Sequence, residues 1–201
     1  MTADHFRDSY QRTVSDLPWY HRDPEPDLVA LFDEVLPATG AAILDLGAGP
    51  AVHSIELAAR GHHVVAIDGI DKARDMALEL AAARGVTLDY RVGDALRDSP
   101  EGPFDAIFDR GFLHTLDGHE RALWRDTVIS RLRPGGHAMV KCFDVQPARD
   151  FGPHGLSARD ILDILGAPEP GGLDLDLLRH TRFAGHPPES HAAWTILARK
   201  L

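Results

Sequence analysis

The chain has 201 residues, 44% of them hydrophobic and 26% charged, which is enough for one globular domain with a sizeable core and too few for two. Its 31 acidic residues outnumber its 21 lysines and arginines, and the net charge of −10 disfavours nucleic acid and membrane surfaces as partners. The single cysteine rules out an internal disulfide and any multi-cysteine metal site. The sequence has neither a long apolar run nor a signal-peptide pattern, so we expect a soluble, cytoplasmic protein, either a monomer or a homodimer.

The first half of the chain alternates between short apolar runs and helical patterns. Helical signal near residues 4–16 and 27–36 comes first and predicts a helical N-terminal segment. Short apolar or β-branched runs then predict buried strands, and glycines end the amphipathic stretches between them. In chain order these elements are a strand at 41–46, a helix at 51–60, a strand at 63–68, a helix at 71–84 and a strand at 86–92.

The second half continues the alternation and closes with two extended runs. A turn at Pro134-Gly135-Gly136 precedes the last strand of the alternating series. The two final runs leave no room for a helix between them, so one of them must run antiparallel. The predicted elements are a strand at 104–108, a helix at 117–132, a strand at 137–143, a helix at 157–165 and extended runs at 173–183 and 191–199.

This alternation predicts an α/β fold with a doubly wound, mostly parallel sheet and helices on both faces. We expect a single domain, in which residues 1–40 cover one side of a sheet core formed by residues 41–201. In open sheets of this kind, ligands bind beyond the carboxyl ends of the strands. The residues that follow positions 46, 68, 92, 109 and 143 are therefore the candidate site.

A glycine-containing loop, Asp45-Leu46-Gly47-Ala48-Gly49, follows the first strand. Glycines permit positive φ and let a ligand approach the backbone, and the next helix offers free N–H groups to an anion. A dinucleotide fingerprint would need a third glycine where Val52 stands. A nicotinamide-dependent oxidoreductase is therefore only the less favoured alternative.

Carboxylates follow the next two strands. Asp68 ends the second strand, where its side chain can accept hydrogen bonds from both hydroxyls of a ribose. Asp94 follows the third strand, where a carboxylate can accept from the amino group of an adenine. Each residue also has a purely structural interpretation, as a helix cap or a turn residue.

The combination of these motifs resembles the class I S-adenosylmethionine-dependent methyltransferases. The resemblance rests on Asp45-x-Gly47-x-Gly49, Asp68, Gly93-Asp94 and Pro134-Gly135-Gly136, in that order, and runs from about residue 41 to the end. Ala51 stands where the family often has a further glycine. The resemblance implies a Rossmann-like, seven-stranded sheet with a C-terminal antiparallel strand, and S-adenosylmethionine as cofactor.

The same resemblance implies which residues hold the cofactor. The expected contacts are Asp45, Gly47, Ala48 and Gly49 for the methionine part, Asp68 and Gly69 for the ribose, Asp94 and Ala95 for the adenine, and Trp19 and Asp109 as further members of the set.

A narrower resemblance lies at the fourth strand. Phe108-Asp109-Arg110-Gly111 is similar to the Asp-Arg-Gly segment of thiopurine methyltransferases and of related small methyltransferases for thiols, halides and tellurite. Gly152-Pro153-His154 and Pro18-Trp19-Tyr20 are similar to two further segments of those proteins, the second of which folds over the cofactor. The resemblance implies methyl transfer to sulfur, nitrogen or oxygen of a small molecule.

Three residues at the mouth of the fourth strand are the catalytic candidates. Arg110 is predicted to bind an anionic group or heterocycle of the substrate, or else to pair with a surface acid. His114 is predicted to act as a base near neutral pH, or else to pack or cap. Asp109 is predicted to orient either of them, or else to cap the next turn. Positioning supplies much of the catalysis in such an in-line displacement, so no catalytic triad is required.

The remaining substrate-binding candidates are Tyr20, Phe143 and His154, and a plain core role is the alternative for the aromatic pair Trp19 and Tyr20. No metal is expected, because His62 and His63 are adjacent and would face opposite ways in a strand. Cys142 lies inside a strand and is expected to be buried and inert. A non-catalytic module that binds the cofactor, or a partner subunit of another methyltransferase, is the alternative from a different functional class.

Overall fold

A computed structural model describes residues 3–145, 155–183 and 191–201. In this part of the chain, one seven-stranded sheet forms the centre of the molecule. Its strands are β1 Ala42–Leu46, β2 His63–Asp68, β3 Asp89–Val92, β4 Phe104–Arg110, β5 Leu132–Phe143, β6 Leu173–Arg182 and β7 Ala192–Lys200. Their order is β3-β2-β1-β4-β5-β7-β6, with β7 antiparallel to both of its neighbours and the remaining pairs parallel.

Helices cover both faces of the sheet. They are α1 Ala3–Ser9, α2 Pro26–Val35, α3 Val52–Ala59, α4 Asp71–Ala83, α5 Gly118–Arg131 and α6 Ala158–Leu165. One hydrophobic core lies between the sheet and α5 and α6, and another lies between the sheet and α2, α3 and α4. The predicted fold class, including the antiparallel strand near the C-terminus, is confirmed.

Two boundaries differ from the prediction. Residues 86–88 do not join β3, because the N–H of Val86 bonds back to the carbonyl of Ala81 and so belongs to the end of α4. Strand β5 begins before the predicted turn. Leu132 already pairs with Phe104 on β4. The register of the pairing then shifts before the next pair, which is His137 with Ala106. The Pro-Gly-Gly segment is thus an irregularity within a strand rather than a turn before it.

The N-terminal segment packs beside the start of α4. Its side chains form a small hydrophobic cluster with that helix, consisting of Tyr10, Leu17, Ile70, Ala73 and Met76, with Phe6, Val14, Trp19 and Tyr20 at its margin. The helix expected over residues 4–16 is interrupted, and a single 3-10 turn, Val14–Asp16, follows α1. The hydroxyl of Thr13 donates to Asp16 and stabilises this separate turn. Within the described ranges, no helix is long and apolar enough to cross a membrane.

Candidate functional site

The loop between β1 and α3 follows a backbone path that suits glycine. Gly47, Gly49 and Ala51 all have positive φ, at 66°, 52° and 55°. A Cβ on Gly47 would lie 2.6 Å from the side chain of Phe112, and one on Gly49 would lie 2.9 Å from the hydroxyl of Tyr10. Both neighbours therefore require a loop without side chains at these positions. Ala51 adopts the left-handed conformation where the family often has glycine, at a cost of about 1 kcal/mol.

Asp45 supports this loop from beneath. Its carboxylate is buried and accepts a hydrogen bond from the hydroxyl of Ser54 in α3, at 2.5 Å. Burial raises the pKa of Asp45 to about 8, and the nearby carboxylates of Asp109 and Asp68 act in the same direction. The residue thus joins the end of β1 to α3. Its predicted contact with a cofactor stays a prediction.

Asp68 joins the end of β2 to the glycine loop. One carboxylate oxygen accepts from the N–H of Gly49 at 3.0 Å, and the other accepts from the N–H of Ile70 at 3.0 Å. The hydroxyl of Tyr90 donates to the carbonyl of Gly49 at 2.7 Å, so the loop is fixed from a second side. Burial raises the pKa of Asp68 to about 6. Each oxygen still has a lone pair for a further donor, such as a ribose hydroxyl.

Asp94 lies at the end of β3 and remains partly exposed. Its carboxylate accepts from the N–H of Leu96 at 2.9 Å and pairs with the guanidinium of Arg97. Partial burial opposes ionisation, but the guanidinium and the backbone N–H groups outweigh it and hold the pKa of Asp94 below its ordinary value. Ala95 beside it is buried. The N–H of Gly93 donates to the carbonyl of Asp68 at 3.1 Å, so the ends of β2 and β3 meet beside Gly69.

Asp109 adopts the capping role that was one of its two interpretations. Its fully buried carboxylate accepts from the N–H groups of Phe112 and Leu113, at 2.9 and 3.0 Å. It also accepts from the indole N–H of Trp124 in α5, at 2.9 Å. Burial raises the pKa of Asp109 to about 7. These contacts correct the expectation that Asp109 orients Arg110 or His114, because its carboxylate is engaged by the turn and by α5.

Arg110 is paired with an acid, but with a buried one rather than a surface one. Its guanidinium contacts the carboxylate of Glu25 at 2.6 Å and donates to the carbonyl of Trp19 at 2.7 Å. The guanidinium carbon lies 4.8 Å from the centre of the Phe183 ring, which is cation–π geometry. Arg110 thus connects the end of β4 to the N-terminal segment.

Glu25 and Arg110 belong to a larger group, the buried charge cluster, which we define as Glu25, Asp27, Arg110 and Lys141. Lys141 on β5 is 1% exposed, and its ammonium contacts both Glu25 and, at 2.8 Å, Asp27. The hydroxyl of Thr195 on β7 donates to Asp27 at 2.8 Å. Sequence reasoning missed this cluster. The available signal was a lysine in the middle of an otherwise apolar predicted strand, a position that demands a buried partner.

The geometry of His114 opposes its predicted role as a base. The imidazole is buried and stacks on Phe143 with ring centres 4.3 Å apart. Its Nδ1 accepts the N–H of Phe143 at 3.0 Å, so the neutral ring carries its proton on Nε2. Burial lowers the pKa of His114 to about 3. At neutral pH the ring therefore has no free lone pair for a substrate proton, and the Nε2–H is only a donor.

Phe143 belongs to an aromatic wall, which we define as His114, Phe143, Phe183 and His191. The rings of Phe183 and His191 lie 4.8 and 5.4 Å from that of Phe143, both edge to face. The prediction included Phe143 and His114. It missed Phe183 and His191, because they are the end residues of extended runs in which the sequence showed no site pattern.

The remaining predicted residues fall in two places. Trp19 and Tyr20 lie partly buried beside the N-terminal hydrophobic cluster. The indole of Trp19 contacts the ring of Tyr10 edge to face and donates to its hydroxyl at 3.2 Å. Tyr10 was not predicted from the sequence, although its hydroxyl lies against the glycine loop. His154, together with the Gly-Pro pair before it, lies outside the described residues.

Among the residues that the structure describes, no group of three or more histidine, cysteine, aspartate or glutamate side chains is arranged to hold a metal ion. Cys142 is a free, buried thiol as expected, and burial raises its pKa.

The strand ends thus place the glycine loop and two carboxylates on the β1–β3 side of one sheet edge, and a cation and aromatic rings on the β4–β5 side. The loop has the glycine backbone that a ligand can approach closely, and Asp68 and Asp94 are acceptors for hydroxyl and amino groups. This donor and acceptor set fits a nucleoside cofactor that carries an amino-acid tail.

Comparisons with known proteins agree with this geometry. Residues 43–136 match the family described as Methyltransferase domain. A 2-heptyl-1-hydroxyquinolin-4(1H)-one methyltransferase of Mycobacteroides abscessus is 28% identical over 171 residues, covering 81% of this chain and 74% of that protein. A thiopurine S-methyltransferase of Legionella pneumophila is 26% identical, covering 68% of this chain and 69% of the relative. Two further methyltransferases are matched over only 52% and 57% of their own length.

Solved structures share the whole fold. A structure from work on the "Conversion of a Disulfide Bond into a Thioacetal Group during Echinomycin Biosynthesis" superposes with a TM-score of 0.82, at 24% identity, covering 100% of this chain and 92% of that one. This likeness concerns the fold. The family match over residues 43–136 and the methyltransferase relatives along most of the chain support a class I methyltransferase with S-adenosylmethionine as cofactor.

Proposed function

We propose that the protein transfers the methyl group of S-adenosylmethionine to sulfur, nitrogen or oxygen of a small, flat aromatic molecule. The observation that carries the proposal is that Arg110 and the wall residues His114 and Phe143 lie at the carboxyl ends of β4 and β5, on the sheet edge that also carries the glycine loop and Asp68. A methyl group presented from the loop side would then meet an acceptor stacked on the rings. Aromatic rings pair in offset or edge-to-face arrangements like those already present in the wall.

The relatives support an aromatic acceptor. The hydroxyquinolinone and thiopurine methyltransferases act, by their names, on heteroaromatic molecules. The net charge of −10 supports the expectation that nucleic acid is not the substrate. We propose the cytoplasm as the location, which suits a chain whose one cysteine is a free thiol.

In the proposed cofactor site, Gly47 to Gly49 hold the methionine part, Asp68 the ribose, and Asp94 with Ala95 the adenine. Residues 1–40 are proposed to form a cover that belongs to the same single domain, with Trp19 and Tyr20 near the cofactor. These roles follow the order of the strand ends, along which a nucleoside cofactor would extend.

The proposed reaction needs no general base. The cofactor, when bound, supplies an electrophilic methyl group on a sulfonium. The chain's part is to align the acceptor and exclude water, because alignment contributes much of the rate in such a displacement. A thiolate or an ionised hydroxyl attached to a heteroaromatic ring reacts without proton removal by the protein. This choice of acceptor agrees with the geometry of His114 and Asp109. Both side chains already accept hydrogen bonds from the protein, so neither offers a base for the substrate proton at neutral pH.

Two measurements test the proposal. Titration calorimetry with S-adenosylhomocysteine should show binding to the wild type and to Asp33→Asn, and a loss of binding in Asp68→Ala. Asp33 serves as the matched control because its carboxylate is exposed and pairs only with Arg60 in the described contacts. Release of S-adenosylhomocysteine should then be followed with a panel of heteroaromatic thiols, N-hydroxy compounds and hydroxyls.

The outcomes separate the alternatives. Binding together with turnover on at least one acidic aromatic acceptor supports the proposal. Binding without turnover on any member of the panel would instead favour the non-catalytic cofactor-binding module. No binding of S-adenosylhomocysteine to the folded wild type would overturn both.

A further inference from the structure

The buried charge cluster has a feature that stability alone does not explain. Glu25 and Lys141 are 0% and 1% exposed, and removing such charges from water costs several kcal/mol for each ion. Replacing a buried ion pair by apolar residues of similar size is often neutral or stabilising. The two cations and two carboxylates of this cluster balance in charge. Burying them gives the fold no obvious gain in stability over apolar side chains. Their arrangement in space points to a positioning role.

Glu25 is the member that reaches both cations. Its carboxylate contacts the ammonium of Lys141 on β5 and the guanidinium of Arg110 at the end of β4. Its own backbone N–H donates to Nε2 of His53 in α3, at 3.1 Å. Residues from three core elements therefore fix Glu25, while Asp27 contacts Lys141 and Thr195 only, among the contacts that the structure describes.

A continuous set of contacts leads from Glu25 to the glycine loop. Arg110, held by Glu25, donates to the carbonyl of Trp19 at 2.7 Å. The indole of Trp19 donates to the hydroxyl of Tyr10, and that hydroxyl lies 2.9 Å from the position that a Cβ of Gly49 would take. The carboxylate of Glu25 thus holds, through one guanidinium, the segment that rests on the proposed cofactor loop.

The N-terminal segment needs such an anchor. Its helix α1 has seven residues, and isolated helices shorter than about 12 residues are marginal in water. Its hydrophobic cluster is small, with Tyr10 and Leu17 as the buried contributions from the segment itself. The contact between Arg110 and the carbonyl of Trp19 adds a charged hydrogen bond where apolar packing is sparse.

We propose that Glu25 is a positioning residue of the enzyme: by orienting Arg110, it holds residues 6–20 closed over the carboxyl ends of β1 and β4. The expected effect on cofactor binding rests on the proposed function. The closure of residues 6–20 does not depend on it. Glu25 touches neither cofactor nor acceptor in this proposal. It acts only through Arg110 and Trp19.

Amide hydrogen exchange, followed by mass spectrometry on the full chain, tests the closure without any substrate. In Glu25→Gln, peptides that cover residues 6–20 should exchange about tenfold faster than in the wild type, while peptides from β1 and β4 should keep their rates. Asp27→Asn is the matched control, because it removes a carboxylate from the same lysine but leaves the contacts from Glu25 to Trp19 in place. Its 6–20 peptides should exchange at the wild-type rate.

Equal acceleration in both variants, or an unchanged rate in a folded Glu25→Gln, would overturn the proposal. If Glu25→Gln does not fold, Glu25→Asp provides the same test, because it keeps the charge and shortens the reach to Arg110 by one methylene. It should also loosen residues 6–20 selectively. Binding of S-adenosylhomocysteine should weaken about tenfold in the loosened variant and not in Asp27→Asn. If the wild type binds no S-adenosylhomocysteine, the proposed function fails, while the exchange result still decides the closure.

Discussion

The carboxylate of Asp68 holds the N–H of Gly49 at 3.0 Å, and this bond ties the end of β2 to the loop after β1. The same carboxylate is the proposed ribose ligand. One side chain therefore both fixes the conformation of the loop and, in the proposal, binds the cofactor that the loop holds. Burial raises the pKa of Asp68 to about 6. An acceptor role toward two hydroxyls requires the ionised form, because a protonated carboxyl has lost acceptor capacity.

The first prediction follows from that pKa. The contribution of Asp68 to the affinity for S-adenosylhomocysteine should be nearly constant above pH 7 and fall as the pH drops through about 6, reaching about a tenfold loss at pH 5. Asp94 contributes nothing to this change, because the guanidinium of Arg97 helps to hold its pKa below the ordinary value and it stays ionised. Calorimetry from pH 5 to 8 measures the profile. Asp33→Asn should reproduce it, whereas a flat wild-type profile would contradict the role of Asp68.

The second prediction concerns the space above Gly47. Gly47 and Gly85 have nearly equal positive φ, 66° and 68°, so replacement by alanine should cost each about 1 kcal/mol in backbone strain. At Gly85 a Cβ would meet nothing within 4 Å, whereas at Gly47 it would press on Phe112 at 2.6 Å. Overpacking of this kind adds about 1–3 kcal/mol.

Urea denaturation should therefore rank the wild type above Gly85→Ala, and Gly85→Ala above Gly47→Ala. Calorimetry should show weaker binding of S-adenosylhomocysteine in Gly47→Ala alone. Equal loss of stability in the two variants would mean that Phe112 moves aside at little cost, and the loop would then tolerate a side chain.

Much of this arrangement was predictable from the sequence, because local patterns determine it. Strand β1 is a short apolar run that ends just before Gly47, and β2 is a similar run that ends at Asp68. The apolar pattern and the residues that terminate each run suffice to place both strands. The carboxyl ends of parallel strands share one edge, so the candidate residues after them could be grouped without coordinates.

The buried charge cluster could not be predicted in the same way. Arg110 follows Glu25 by 85 positions and Lys141 follows it by more, and no local pattern relates either residue to Glu25. His114 illustrates a second limit. Its place after β4 was correct, but the availability of its lone pair depends on the N–H of Phe143, which only the tertiary structure brings to it.

The third prediction addresses His114 directly. With its pKa lowered to about 3, its ring should stay neutral from pH 5 to 8, with the proton on Nε2. Ring resonances in two-dimensional NMR, assigned by comparison with His114→Gln, should show no shift over this range. A histidine-containing model peptide in the same buffer provides the control, because its imidazole titrates near pH 6.5. A His114 resonance that titrates near neutrality would restore the base interpretation.

The fourth prediction relates stability to the ionisation of Asp45. Its pKa is raised from 3.8 in an unfolded chain to about 8 in the fold, so the folded state retains this proton over a range in which the unfolded state has lost it. Raising the pH from about 4 to 8 therefore costs the wild type stability at this residue. Asp45→Asn has no such proton, and its free energy of unfolding should improve relative to the wild type as the pH rises. Urea denaturation of both proteins at pH 5 and pH 8 measures the difference, and Asp33→Asn should show none. A difference that stays constant between the two pH values would mean that Asp45 is already ionised in the folded protein.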